Sequence, residues 1–314
     1  MVDSVVLQQP SAIKTVPEKP GTDWRRYFGN GVMYAVLLFF AFLALFPFIW
    51  MISNSLMTIG ETQVRRMFPS VPQWGNYAEA WDQAEFSKYF LNSCTIVGIT
   101  LAGLLVISIL AAYAFGRIQF RGRDTIFTLL LVTLMIPQSV TLIPNFLMVA
   151  GKVVPLPAIG TGEALLTWSW ENTWIDTYAA LTIPFMGSAF SIFLLRQFFA
   201  QIPYELFDAA RIDGAGHFRF LVQIVLPISR APIMTVTLLT FIASWNSFLW
   251  PLIVTNSDRL RPITVGLYNF TDEAGTRTNL LMAGALITIL PILILYFLTQ
   301  KTFTEGIATT GLKG

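Results

Sequence analysis

Few side chains in this sequence could carry out chemistry. Its 314 residues include one histidine, His217, and one cysteine, Cys94, which fall in different parts of the chain. A single loop histidine is more often solvated than catalytic. A single cysteine excludes an internal disulfide and any metal site built from cysteines. No GxxxxGK[ST], HExxH or GxSxG motif occurs. We therefore expect no enzyme, no metal site and no bound cofactor in this chain.

A polar segment from Pro203 to Pro227 interrupts the largely apolar second half of the chain. Pro203 suits the first position of a helix, and Glu205 places negative charge in the first turn, where the helix dipole favours it. Gly214 and Gly216 then end the helix. About ten residues are too few for a stable helix in water, so packing must order this one. Its apolar residues cannot all be hidden by so short an element. The sequence therefore predicts a short helix that docks against another protein.

This segment carries a resemblance to a known family. The run DAARIDGA from Asp208 to Ala215, followed by Leu226 and Pro227, is similar to the EAA loop of permease subunits of ABC importers. In that family the loop is a coupling helix that sits in a cleft of a cytoplasmic ATPase, and the ATPase binds the ATP. Asp208 stands where the family usually has glutamate, so the carboxylate is one methylene shorter. The alternative is an ordinary loop helix between two membrane spans. The ATPase-docking residues that the resemblance implies are Glu205, Asp208, Ala209, Ala210, Asp213, Gly214 and Ala215.

The composition places the chain in a membrane. Hydrophobic residues make up 54% and charged residues 12%, and the mean hydropathy is +0.62, which is more apolar than a soluble domain of this size. Six stretches are long and apolar enough to span about 30 Å of hydrocarbon as helices. None alternates like a strand of a membrane barrel. We expect an all-α integral membrane protein, a bundle of six transmembrane helices with a cytoplasmic coupling helix. The predicted spans are residues 32–56, 89–115, 124–149, 177–199, 229–253 and 279–300.

These spans divide the chain into an N-terminal arm, residues 1–31, a permease domain, residues 32–300 with its coupling loop at 201–217, and a C-terminal tail, residues 301–314. With the N-terminus inside, 13 of the 20 Lys and Arg residues fall on the inner side, as the positive-inside rule requires. Both termini and the coupling loop are then cytoplasmic. The polar arm lacks the apolar core of a signal peptide. The resemblance implies the plasma membrane of a bacterium or archaeon.

Two places could line a pathway for a solute. In the third span, two prolines interrupt the helix beside Gln138 and Asn145, and such breaks occur at membrane depth where neighbours or a watery cavity satisfy the backbone. In the fifth span, the run SWNSFLWPLIV, which includes Trp245 and Asn246, is similar to the matching segment of sugar-type permeases. Residues 303–314 resemble the C-terminal extension of maltose-type importers. The alternatives are helix–helix hydrogen bonds for the amides and interface anchoring for the tryptophan.

The outer loops contain clustered tryptophans. The loop from 57 to 88 is rich in proline and aromatic residues and is expected to form a folded cap. The loop from 151 to 176 looks like an insertion relative to the family and contains Trp168, Trp170 and Trp174 near several carboxylates. Rigid aromatic anchors with nearby charge suit contact with a soluble extracytoplasmic substrate-binding protein. Anchoring in the lipid headgroup region is the alternative.

The predicted function is that of a permease subunit of an ABC importer for a carbohydrate. The partners that the resemblance implies are a second permease subunit in a heterodimer, a cytoplasmic ATPase dimer and an extracytoplasmic binding protein. The net charge of +2 does not argue for nucleic acid. One alternative is a permease for another small polar solute, such as an amino acid, a peptide, a polyamine or glycerol phosphate. The other is a secondary transporter, but the cores of the predicted spans lack ionisable residues that could carry a coupling proton.

Overall fold

The structure is a computed structural model that describes residues 24–311, except 65, 84, 152–155, 158–163, 167–172 and 273–274. Helices dominate this part of the chain, which confirms the all-α expectation. The helices are α1 (Trp24–Ser55), α2 (Ile59–Gln63), α3 (Gly75–Gln83), α4 (Phe86–Arg117), α5 (Arg123–Val132), α6 (Gln138–Val149), α7 (Tyr178–Thr182), α8 (Ala189–Gln201), α9 (Tyr204–Ile212), α10 (His217–Phe220), α11 (Leu226–Ile228), α12 (Arg230–Trp245), α13 (Leu249–Val254), α14 (Ile263–Gly266) and α15 (Thr278–Gly311).

Short turns and strands complete the secondary structure. Tight 3-10 turns follow α5, α7 and α14, at Thr133–Met135, Ile183–Phe185 and Leu267–Phe270, and a π turn, Leu221–Val225, joins α10 to α11. Two antiparallel pairs of short strands lie in loops: β1 (Leu156–Pro157) with β2 (Ala164–Leu166), and β3 (Thr271–Asp272) with β4 (Gly275–Thr276).

The chain divides into two compact units, residues 1–50 and residues 51–314. The described part of the first unit is residues 24–50 of helix α1, whose side chains from Tyr27 to Phe48 are exposed and mostly apolar. A helix that is apolar on all sides suits a lipid environment. α1 begins at Trp24, eight residues before the predicted span, because backbone hydrogen bonds rather than apolar side chains decide where a helix begins.

Within the described part of the chain, six segments are long and apolar enough to cross a membrane, provided that each of three bent helix pairs counts as one span. The straight segments are Tyr27–Ser55, Phe86–Arg117 and Thr278–Gln300. The bent pairs are Arg123–Met135 with Gln138–Val149, Tyr178–Phe185 with Ala189–Gln201, and His217–Ile228 with Arg230–Trp245, which bend by 102°, 44° and 80°. The number of spans agrees with the prediction, but three of the six are not continuous helices.

The breaks have local causes. Pro137 has an extended ψ of 139° and starts a new helix, α6, so the predicted break of the third span is confirmed. Pro144, by contrast, lies inside α6. The predicted fifth span, 229–253, is wrong in detail because α12 ends at Trp245 and Phe248, at φ −121° and ψ −56°, separates it from α13.

Helix α4 organises the packing of the second unit. It contributes Leu104 and Tyr113 to one buried cluster, Phe86 to a second and Ile96 to a third. The first cluster joins α4 to α8, α9 and α12, the second joins it to α3, α12 and α15, and the third joins it to α7 and α13. At the α15 contact the helices approach closely, since a Cβ on Gly284 would lie 2.8 Å from Cζ of Phe86.

The segment between α1 and α4 forms the folded cap that the sequence predicted. Asn76 of α3 is buried, and its Nδ2 donates to the carbonyl oxygens of Ser55 and Met57, both at 2.8 Å. Arg277, just before α15, pairs with Glu79 of α3 at 2.7 Å. These bonds fasten α3 to the end of α1 and to the start of α15.

Helix α2 of this cap starts with a capping box. The Thr58 side chain accepts from the Glu61 backbone N–H, and the Glu61 carboxylate accepts from the Thr58 backbone N–H. Hydrogen bonds, first from the Thr58 backbone and then from Ser70, lower the pKa of Glu61 from the usual 4.5 to about 2. The carboxylate is therefore charged whenever the cap is folded near neutral pH.

The end of the permease domain at residue 300 stays a prediction, and the segment of α15 that is apolar enough to cross a membrane ends at Gln300. α15 continues to Gly311, so no change of secondary structure marks the predicted end of the permease domain at residue 300.

Candidate functional site

Helix α9 contains most of the residues predicted for docking. Pro203 precedes the helix as its N-cap, with ψ 140°, and the first helical residue is Tyr204. The prediction that Pro203 occupies the first helical position is therefore wrong by one residue, because its extended ψ does not continue into the helix. Glu205 lies in the first turn, as predicted. The helix is nine residues long.

The C-terminal end of α9 is a Schellman motif. Gly214 has φ +77°, as its position after the helix predicted. The Ala215 N–H donates to the Ala210 carbonyl at 2.8 Å, and the Gly214 N–H donates to the Arg211 carbonyl at 3.0 Å. This pair of bonds defines the motif and satisfies carbonyls that a helix end otherwise leaves open. Gly216 does not need to be a glycine for its backbone conformation, because any residue can adopt its φ of −82°.

The two faces of α9 have different surroundings. Ala210 is 6% exposed and belongs to the buried cluster around α4 and α8, and Phe207 and Ala215 pack against that cluster. Ile212, which is 88% exposed, lies on the opposite side of the helix, and Leu206, which is 42% exposed, borders the buried face. The residues predicted for docking divide in the same way. Ala210 and Ala215 face inward or lie partly buried, while the exposed members are Glu205, Asp208, Ala209, Asp213 and Gly214.

Arg117, the last residue of α4, holds the start of α9. It is 6% exposed, and its guanidinium donates to the Ile202 carbonyl at 2.5 Å and to the Pro203 carbonyl at 3.4 Å. The guanidinium also lies 4.2 Å from the centre of the Tyr204 ring. Among the described residues no carboxylate pairs with it. Backbone carbonyls and an aromatic ring therefore compensate this buried charge.

His217, which follows the end of α9, contacts both α9 and α4. Its ring is stacked on Phe207, with the ring centres 4.9 Å apart, and its Nδ1 lies 2.9 Å from Oη of Tyr113. Because Tyr113 belongs to α4, this contact is a second connection between α4 and the segment that contains α9. His217 is exposed, as expected of a solvated histidine, but its ring also contacts Phe207 and Tyr113.

A cavity of ≈ 640 Å³ lies between α4, the Tyr178–Gln201 helix pair and α12. Its walls are largely apolar, with contributions from Leu104, Phe185 and Val236. Hydroxyl groups and one amide supply the polar part of the lining. These polar residues are Ser93, Thr100, Gln138, Ser188, Ser191, Thr240, Ser244 and Ser247.

The sequence profile of the family described as "Binding-protein-dependent transport system inner membrane component" matches residues 103–307, a range that includes α9 and much of the cavity wall. The chain belongs to this family. It is therefore a multi-pass membrane component of a binding-protein-dependent transport system. The resemblance predicted from the run Asp208–Ala215 is confirmed.

Relatives of this permease cover nearly its whole length. The sn-glycerol-3-phosphate transport system permease protein UgpE of Rhizobium meliloti (strain 1021) is 33% identical over 298 residues, which is 91% of this chain and 98% of the relative. The lactose transport system permease protein LacG of Rhizobium radiobacter is 30% identical over 285 residues, which is 91% of this chain and 97% of the relative.

A solved structure shares the fold. The crystal structure of a bacterial ABC transporter involved in the import of the acidic polysaccharide alginate has a chain that matches this permease with a TM-score of 0.73 at 23% identity. The match covers 90% of this chain and 98% of that chain.

The residues predicted to line a solute pathway do not all reach the cavity. Gln138 lines it. Trp245 is 1% exposed and packs on Phe241, and its Nε1 donates to the Thr288 carbonyl at 3.0 Å, so its ring belongs to the contact between α12 and α15. Asn246 is exposed at the end of α12, and Asn145 is half-buried in α6 outside the cavity lining.

The tryptophans predicted to contact a binding protein are described only in part. Trp168 and Trp170 lie outside the described residues. Trp174 is half-buried, packs against the cluster that contains Val149 and Val254, and donates its backbone N–H to the Val149 carbonyl at 2.8 Å. Its ring is thus part of the protein packing, and contact with a binding protein remains a prediction.

Sequence reasoning missed Arg117 and the hydroxyl lining of the cavity. Arg117 was counted as one of several positive charges on the inner side, and nothing in its spacing marks it as buried. The hydroxyls do leave a signal, because Ser93 and Thr100 are seven residues apart and Thr240 and Ser244 four apart. Each pair therefore lies on one face of its helix.

Proposed function

We propose that this chain is the permease subunit of an ABC importer for a carbohydrate. The observation that carries the proposal is helix α9, which exposes acidic and apolar side chains on one face and is held from behind by Arg117 of α4. Relatives named for sn-glycerol-3-phosphate and lactose transport support a small polyhydroxylated solute. The chain itself is no enzyme in this proposal, and ATP binds to a separate subunit.

The exposed face of α9 is the docking surface for the ATPase. Ile212 supplies apolar area, and Asp208 and Glu205, on the same side of the helix, supply charge beside it. An apolar centre with a charged rim is a common arrangement for a protein interface. Hydrogen bonds within this chain hold both ends of α9. A displacement of α9 by the ATPase therefore also displaces α4.

Helix α4 connects the docking surface to the cavity. Arg117 lies at one end of this continuous helix, and Thr100, 17 residues earlier, lines the cavity. At 1.5 Å per residue the two are about 26 Å apart along the helix. Movement of α9 against the ATPase therefore reaches the cavity wall through one rigid element. The cavity forms this chain's part of the solute pathway, and a second permease subunit supplies the rest.

The orientation follows from the same proposal. α9, both termini and the Arg117 end of α4 lie in the cytoplasm, and the cap formed by α2 and α3 lies outside. A substrate-binding protein delivers the solute at the outer face. Importers named among the similar structures include one in complex with a periplasmic protein, which supports this arrangement.

The proposal is tested by charge reversal on α9. Asp208→Lys is expected to lower the affinity of the ATPase subunit for the membrane complex by about tenfold or more, because a favourable charge contact becomes repulsive. ATP-driven solute uptake in proteoliposomes should fall with it. Asp82→Lys makes the same change at an exposed position of α3, at the other end of α4, and should bind the ATPase normally. Normal binding and uptake by the Asp208 variant would refute the docking role of α9.

A further inference from the structure

The cavity between α4 and α12 presents hydroxyl groups from two facing helices. Ser93 and Thr100 come from α4, and Thr240 and Ser244 come from α12. The volume of ≈ 640 Å³ falls within the range of about 300–1,000 Å³ that small-molecule sites occupy. These residues of α4 and α12 therefore line a space of the size that a small organic ligand fills.

Thr100 and Thr240 have no side-chain hydrogen bond to any described residue, whereas the Ser93 Oγ accepts from the Ile263 N–H at 2.8 Å. Thr100 is 2% exposed, and its Oγ1 makes no hydrogen bond within the described part of the chain. A threonine inside a helix often bonds back to the carbonyl four residues earlier, and Thr235 and Thr237 of α12 both do so. Thr240 on the same helix makes no such bond to any described residue. The Thr100 Oγ1 is enclosed by protein atoms, so the half-buried Thr240 and Ser244 offer the hydroxyls that a ligand in the cavity can reach.

The lining contains no charge. None of the described residues that surround the cavity is ionisable. A phosphate or carboxylate moved from water to such a site loses its hydration and needs a cation or several charge-assisted hydrogen bonds in exchange. Neutral hydroxyls can donate such bonds but bring no positive charge, so an anion recovers less of its hydration energy here than beside a cation. A sugar has no such requirement, because its hydroxyl groups both donate and accept.

One arginine is adjacent in sequence to a lining residue, but it does not supply a free positive charge to the cavity. Arg261 precedes the lining residue Pro262, but its guanidinium is paired with the carboxylate of Asp258. Its charge is therefore largely neutralised. Apolar side chains such as Leu181 and Phe185 complete the lining and can pack against the C–H faces of a sugar ring.

We propose that this cavity takes an uncharged carbohydrate and discriminates against phosphorylated or acidic ones. The inference rests on the proposed function, since it names the substrate class of the same pathway. It separates this chain from the solutes in the names of its similar proteins, which include sn-glycerol-3-phosphate and the acidic polysaccharide alginate.

The test compares matched probes in the complete importer. The chain is reconstituted in proteoliposomes with its partner permease, ATPase and binding protein, and ATP-driven uptake is measured for glycerol against sn-glycerol-3-phosphate, lactose against lactobionate, and a mannose trisaccharide against an alginate trisaccharide. We expect the transported probe to be an uncharged member, with its anionic counterpart at least about tenfold slower. Uptake of anionic members alone would overturn this inference and leave the proposed function intact. No ATP-driven uptake of any probe would overturn the proposed function itself.

A pair of variants tests the role of the free hydroxyls. Thr240→Val removes a cavity hydroxyl while keeping the side-chain shape, and it should raise KM for the transported sugar about tenfold, the loss of roughly one good hydrogen bond. Thr237→Val removes a hydroxyl from the same helix that bonds to the Ile233 carbonyl and does not line the cavity, so KM should be unchanged. Equal KM values for both variants and the wild type would contradict ligand binding by this hydroxyl.

Discussion

Replacing Arg117 by methionine should detach the start of α9, the proposed coupling helix, from α4. The guanidinium donates to the Ile202 carbonyl at 2.5 Å and to the Pro203 carbonyl at 3.4 Å, and it packs on the Tyr204 ring at 4.2 Å. One good bond from a charged donor contributes about 1.5–3 kcal/mol, and a cation–π contact contributes about 0.5–2 kcal/mol. Methionine retains an unbranched stem, so the loss is mainly polar. We expect a loss of about 3 kcal/mol, or roughly 150-fold in the equilibrium that holds α9 in place.

Two measurements on the assembled importer check this expectation. Amide hydrogen exchange of residues 204–212 should accelerate by up to the same factor, because local opening governs exchange in a folded protein. Solute uptake per ATP hydrolysed should fall, since α9 can then move without moving α4. Arg117→Lys should lie between methionine and wild type, because lysine keeps the charge but cannot reproduce the planar guanidinium.

The matched control is Arg121→Met. Arg121 lies four residues beyond Arg117, is exposed, and makes no ion pair with any described residue. The Arg121→Met variant should leave amide hydrogen exchange of α9 and solute uptake unchanged. If Arg117→Met behaved like this control, the coupling helix would be held by its apolar packing alone, and the role assigned to the guanidinium would be wrong.

Two further predictions concern the ends of short helices. Gly214→Val places a β-branched residue at φ +77°, where strain of about 1–2 kcal/mol or more is expected, so the ATPase should bind more weakly in a pull-down from detergent. Gly216→Val, at φ −82°, is the control and should bind normally; equal binding by both would count against the Schellman motif as a docking element. For the cap formed by α2 and α3, the folded-state pKa of Glu61 is about 2, lowered from 4.5, so the stabilisation that the carboxylate contributes is present above about pH 4.5 and is lost as the pH falls towards 2. The difference in Tm between the wild type and Glu61→Gln should therefore be constant above pH 4.5 and shrink below it, and a difference that grew in acid would contradict the bond to Thr58.

The sequence predicted the number of spans because the energy of placing a helix in lipid is decided by local composition. It predicted the end of α9 for a similar reason, since Gly214 is a glycine where the chain needs a positive φ. It did not predict that Asn246 and Phe248 would interrupt the fifth span, because an apolar run of that length is compatible with both a straight and a broken helix.

Side-chain roles that depend on distant neighbours were harder to predict. Trp245 sits in a run that resembles sugar-type permeases, yet its ring fills the contact with α15 and its N–H is bound to the Thr288 carbonyl. Arg117 finds its partners 85 and 86 residues later in the chain. Local residue spacing does not predict these hydrogen-bond partners, because they depend on how α4, α9, α12 and α15 pack together.

Both ends of α9 are hydrogen-bonded within this chain, and this has a consequence for assembly with the proposed ATPase. Arg117 satisfies the carbonyls before the helix, and the bonds from Gly214 and Ala215 satisfy those at its end. The helix is therefore already in its binding shape before any ATPase arrives, and docking does not have to order it. Preorganisation of this kind removes a cost from association. A modest contact area is then enough for binding, and the two subunits can separate and rejoin without a folding step.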